Sequence, residues 1–106
     1  CSYEEWKKSL KIGFFQGSFI DKKDGFIHFS AISQVKETLE IHFKNIHNLC
    51  ILKVYTNELK IVWEKARNGE NFPHLYNTFK VTNVHKVYPL TLNEDGTHTL
   101  PNLNST

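Results

Sequence analysis

Helical periodicity and strand character occupy different parts of this 106-residue chain, and that separation constrains the fold more than any single motif. Ser2-Tyr3-Glu4-Glu5 has the capping-box pattern, and Gly13 is placed to close the helix that would follow. Between them Trp6 and Leu10 fall on one face, with Lys7, Lys8 and Lys11 around the other, so a helix is predicted over 3–12. Ile32, Val35, Leu39 and Phe43 recur at helical spacing and predict a second helix over 31–43. Beyond it the pattern changes. Residues 49–55 form a near-continuous apolar run suited to a sheet centre, 61–65 reads as another strand, and 79–92 resumes β character with Asn83 placed for a bulge. Helices that precede most of the strands favour an α+β class over regular βαβ alternation, with a mixed, largely antiparallel sheet.

The connecting segments carry the chemistry. Residues 14–19 are aromatic and interrupted by Gly17, which reads as an extended piece or loop, and 20–24 reads as a turn. Asp24-Gly25 is a turn signal, followed by the short strand Phe26-Ile27-His28-Phe29-Ser30 and a helix start. By period two, Phe26, His28 and Ser30 share one face while Ile27 and Phe29 share the other. Residues 67–71 are a loop by composition. Phe72-Pro73-His74-Leu75-Tyr76 contains a proline, which argues for an edge strand or irregular connector. Residues 93–106 are polar and read as a partly ordered tail with a turn at Asp95-Gly96 and a short extended piece over 97–100.

Length and composition narrow the function classes. A chain of this size forms a single domain, 1–106, burying roughly 60–70% of its unfolded surface without staples. Its two cysteines are too few for a secreted disulfide scaffold, and Cys50 lies in an apolar run that suits a buried thiol. No stretch approaches the ~20 apolar residues of a membrane span, and no signal-peptide core is visible, so a cytoplasmic setting is expected. The 13 Lys and Arg are interleaved with 11 Asp and Glu, which argues against a duplex nucleic-acid surface but leaves single nucleotides open. The histidines lack metal-ligand spacing, and no metal is expected.

Three constellations merit attention. His28 with Ser30, beside a helix N-terminus, suits hydrogen bonding to an anion or ribose; the bland alternative is a histidine satisfied by backbone and a serine that only caps. Glu64 beside Trp63 suits a desolvated base or ribose acceptor, against an ordinary solvated glutamate. Phe72, His74 and Tyr76 share one face if extended and could stack a base or nicotinamide ring, against simple core filling.

Taken in order, Glu4-Glu5-Trp6, Gly17-Ser18, Asp24-Gly25-Phe26-Ile27-His28-Phe29-Ser30 with Gln34, Trp63-Glu64 and Phe72-Pro73-His74-Leu75-Tyr76 resemble the family known as domain of unknown function 952. The resemblance covers nearly the whole chain. It implies a fold similar to the ADP-ribosyltransferase core, a split sheet with two helices that cradles NAD. The 26–30 strand is also similar to the histidine-x-serine strand of the RNA 2′-phosphotransferases, which helps hold the nicotinamide ribose. On that resemblance His28, Ser30, Gln34, Trp63, Phe72, His74 and Tyr76 would contact ligand. Glu64 and His28 would be the catalytic candidates if the protein transfers an ADP-ribosyl or phosphoryl group. Family members begin with a strand ahead of the tryptophan helix, and this sequence opens on that helix. The expectation is a nucleotide binder; the competing class is a non-enzymatic interaction or structural module.

Overall fold

The computed structural model describes residues 1–66 and 68–104. Arg67, from the expected 67–71 loop, and Ser105 and Thr106, from the expected tail, lie outside the described residues. The first helix, α1 (Tyr3–Ile12), has the predicted limits. The Ser2 hydroxyl accepts the Glu5 N–H at 3.1 Å while a Glu5 carboxylate oxygen accepts the Ser2 N–H at 2.7 Å, and Gly13 closes the helix at φ 93°. Trp6 is buried, but Leu10, expected beside it, is exposed, so the inward stripe is narrower than the periodicity suggests.

After β1 (Phe14–Phe15), residues expected to turn form a second helix instead, α2 (Phe19–Asp24). It repeats the α1 device. The Ser18 hydroxyl accepts the Asp21 N–H at 3.2 Å, Asp21 Oδ2 accepts the Ser18 N–H at 2.8 Å, and Gly25 ends the helix at φ 86°. The expected second helix is therefore the third, α3 (Val35–His42), reached through a 3-10 turn over Ile32–Gln34.

The remaining strands are β2 (Ile27–His28), β3 (Cys50–Val54), β4 (Val62–Lys65), β5 (Asn71–Leu75), β6 (Phe79–Lys80), β7 (Val84–Pro89), β8 (Thr91–Leu92) and β9 (His98–Thr99). Among the described residues they form four sheets, β1–β6, β2–β5–β4, β3–β7 and β8–β9. Every one of these pairings is antiparallel, so the class is α+β, with three α-helices among the described residues in place of two and antiparallel ladders in place of a mixed, largely antiparallel sheet. A 3-10 turn at Val81–Asn83 separates β6 from β7 where a bulge was expected.

The largest departure is β5. The presence of Pro73 predicts an edge or connector, yet β5 is the middle strand of the three-stranded sheet. Pro73 stands opposite Trp63 of β4, while its carbonyl accepts the Phe29 N–H at 2.9 Å on the other side. Its missing N–H thus points toward the chain just past β2. The proline ends the β2 ladder after two residues and leaves the β4 pairing intact.

Phe15, Ile27, Leu75 and Phe79 form the buried core, with the Phe15 and Phe79 rings stacked at 5.1 Å between centroids. Leu52, Val54, Ile61 and Val84 pack against it and bring β3 and β7 to the same centre. Cys1 and Ser2 pair along the other edge of β3, through an antiparallel bridge from Ser2 to Leu49. Residues 93–104, expected as a partly ordered tail, are anchored. They carry β9 and the buried Leu103, whose carbonyl accepts a hydrogen bond from Lys53 at 2.8 Å.

Candidate functional site

Register and alternation on the three-stranded sheet decide which side chains meet. His28 pairs with His74, and His74 with Val62, while Glu64 lies opposite Phe72. These residues share one face, and Ile27, Pro73 and Leu75 point to the core side. The Phe26 ring sits among them, with centroids 4.2 Å from His74, 4.5 Å from His28 and 5.1 Å from Tyr76. The two imidazoles meet nearly edge to face, 5.6 Å apart.

His28 is held by carboxylates on both sides. Nδ1 lies 2.6 Å from Asp21 Oδ1, and Nε2 lies 2.9 Å from Asp24 Oδ2. Asp21 Oδ1 also accepts the His28 backbone N–H at 3.1 Å. A ring facing acceptors at both nitrogens is satisfied only with both protonated. The hydrogen bond to Asp21 accordingly raises the His28 pKa, opposed by burial and reinforced by the charges of Asp21 and Asp24. Burial acts to raise the Asp21 pKa, but hydrogen bonds from His28 and Ser18 outweigh it and hold the carboxyl below its usual range. Asp21 therefore completes the cap of α2 with one oxygen and holds the imidazole with the other.

The second pair is built from β4 and β5. Glu64 Oε1 accepts from His74 Nδ1 at 2.8 Å and from the Tyr76 hydroxyl. The Tyr76 bond, followed by the His74 bond, lowers the Glu64 pKa, and the same Glu64 contact raises that of Tyr76. His74 is largely enclosed, whereas the Glu64 side chain is 39% exposed and that of His28 37%. The cluster can therefore accept hydrogen bonds, offer aromatic faces and move protons at a solvent-accessible surface.

The structure brings together His28, Glu64, His74 and Tyr76, with Phe72 opposite Glu64, whereas the hydrogen bonds of Ser30 and Gln34 go elsewhere and Trp63 faces away. The Ser30 hydroxyl is 3.1 Å from that of Thr38 on α3. Gln34 accepts the Ala31 N–H at 2.9 Å and donates to the Asn71 carbonyl at 2.8 Å, tying the 3-10 turn to β5. Trp63 is 56% exposed on the opposite face from Glu64. Asp21, Asp24 and Phe26 join the cluster without having been read as site residues. Alternation already put Phe26 on the His28 face; the two aspartates carry no local signal, because α2 and the Gly25 turn are what aim them at the ring. Two concavities of about 470 Å³ and 350 Å³ lie elsewhere, one between α3 and β9 at Lys36, Leu39 and His98, the other beside Tyr55 and Asn83.

An α+β fold of short antiparallel ladders, whose three-stranded sheet carries two histidines held by three carboxylates, defines the class of protein. The chain belongs to the family described as Protein of unknown function (DUF952), whose model matches residues 1–87 and so includes every residue of the cluster. It is similar to the crystal structure of protein CC0527 from Caulobacter crescentus, at 39% identity over 92% of this chain and 88% of that one, with a TM-score of 0.87. The solution NMR structure of CC0527 is similar at 40% identity, covering 92% of this chain and 85% of that chain, with a TM-score of 0.76. No curated protein matches at a significant level. Among the described residues no helix is long and apolar enough to cross a membrane.

Proposed function

We propose that the face carrying Phe26, His28, Glu64, His74 and Tyr76 binds a nucleotide such as NAD in a cytoplasmic protein, on a fold similar to the ADP-ribosyltransferase core. The observation that supports this reading best is the convergence of ionisable and aromatic side chains from β2, β4 and β5 on one accessible sheet face. Phe26 and Tyr76 offer π faces to a planar ring, and Glu64 offers an acceptor to a ribose hydroxyl. Asp21 and Asp24 at His28 and Glu64 at His74 set three carboxylates around two imidazoles, a balance that suits a cationic nicotinamide better than a bare phosphate. Asp24 is an exposed partner, so a ligand hydroxyl can take its place at His28 Nε2. The reading is of binding first. In a transfer reaction Glu64 would stabilise positive charge developing at the ribose carbon, and His28 would position the sugar.

One observation favours the alternative, a structural or interaction module: both nitrogens of His28 already have partners. Thermal shift and NMR titration with NAD, ADP-ribose and 2′-phosphorylated RNA separate the two. NAD is expected to raise the melting temperature and move the His28 and His74 ring resonances, and His28→Ala to abolish those responses. No response to any of the three at millimolar concentration would favour the structural module.

A further inference from the structure

The two cysteines, 49 positions apart in sequence, meet across a strand edge. Their sulfurs are 3.8 Å apart. The Cys1 backbone nitrogen donates to the Cys50 carbonyl at 3.2 Å, and the Cys50 N–H donates to the Cys1 carbonyl at 3.0 Å. Residues that exchange both bonds in this way form a directly opposed antiparallel pair, with Cα atoms roughly 5.5 Å apart, inside the separation a disulfide spans. The adjoining Ser2–Leu49 bridge and the 2.7 Å bond from the Tyr3 N–H to the Asn48 carbonyl hold that register.

From this geometry we propose that Cys1 and Cys50 are an oxidative modification site, a pair that forms an intramolecular disulfide in response to peroxide. The proposal is independent of the nucleotide reading. The two thiols have unequal roles. Cys50 is 2% exposed and burial pushes its thiol pKa up, so it is shielded from the oxidant, whereas Cys1 is only half-buried and open to it. The Cys1 thiolate attacks one peroxide oxygen; the O–O bond breaks, the departing hydroxide takes up the thiol proton as water, and Cys1 becomes a sulfenic acid. The Cys50 thiol gives up its proton as its sulfur attacks the Cys1 sulfur, the S–O bond breaks, and the departing hydroxide takes that proton as a second water. Two thiols and one hydrogen peroxide thus give one disulfide and two waters. The new bond fastens the chain ahead of α1 to β3 at the edge of the core, against which Cys1 packs.

The test treats the fully reduced whole chain with one equivalent of hydrogen peroxide, blocks remaining thiols under denaturing conditions and measures intact mass, peptide linkage and melting temperature. The expected product is a monomer lighter by two hydrogens, unlabelled, with Cys1 joined to Cys50. Its melting temperature should be at least about 5 °C higher and return to the original value with dithiothreitol. Cys1→Ser should show no cross-link and no peroxide-dependent stabilisation, and should retain a Cys50 that labels after unfolding. Cys1 oxidised beyond the sulfenic acid with Cys50 still labelled, a dimer linked between chains, or a cross-link that lowers the melting temperature would each overturn the proposal.

Discussion

At His28 protonation and folding are linked. Its folded pKa lies above the unfolded value of roughly 6.5, so its contribution is complete below that pH and is lost as pH rises through the raised value. Asp21 has the opposite sign: its contribution is complete above the unfolded value of 3.8 and disappears as pH falls through the lowered folded value. The melting temperature should therefore fall on the alkaline side of pH 6.5. His28→Gln should flatten that limb, a difference of no more than about 1 kcal/mol because the ring is partly screened by solvent. A limb unchanged by the substitution would mean that the carboxylate clamp is not maintained in solution. Tyr76 gives a second check: in NMR titrations its phenol should titrate above the usual ~10 and move back toward it in Glu64→Gln. The sequence made His28, Glu64, His74 and Tyr76 legible as individual residues, but the identity of their partners was not. Asp21 and Asp24 reach His28 only because α2 and Gly25 turn the chain back. Strand alternation alone would have put Trp63 and Glu64 on opposite faces.

At the scale of elements, α2 shows what a weak pattern conceals. Six residues beginning with Phe19, which is 75% exposed, carry no amphipathic stripe, so periodicity cannot reveal the helix. The signals that were available are Ser18-x-x-Asp21 and Gly25, the same punctuation that made α1 legible. Ser18→Ala is expected to cost about 1 kcal/mol, and Asp21→Ala roughly 2–3 kcal/mol because it also strips His28 of two hydrogen bonds. Urea denaturation of the two variants measures that order, and equal losses would show that the His28 bonds add nothing to the cap. Pro73 misleads in the other direction. A proline is incompatible with a ladder only on the side where its N–H would point, and β5 spends that side where β2 stops.

Across the whole molecule, several short ladders replace one large sheet, and most join segments far apart in sequence, such as β1 with β6 and β2 with β5. Such ladders open with different free energies. Hydrogen exchange should be fastest in β8–β9 and slowest in β3–β7 and β4–β5, where the pairing is longest. Uniform protection across these ladders would contradict that division. The two capping boxes run against it and bind distant parts together. Glu5 takes the Ser2 N–H with one oxygen and the Phe19 N–H, at 3.0 Å, with the other, while Asp21 divides itself between Ser18 and His28. Two carboxylates thus serve as the shared fasteners of both helix starts and the imidazole, so that an unbroken path of hydrogen bonds and backbone runs from His28 through Asp21, Ser18, Phe19 and Glu5 to Ser2 at the beginning of the chain.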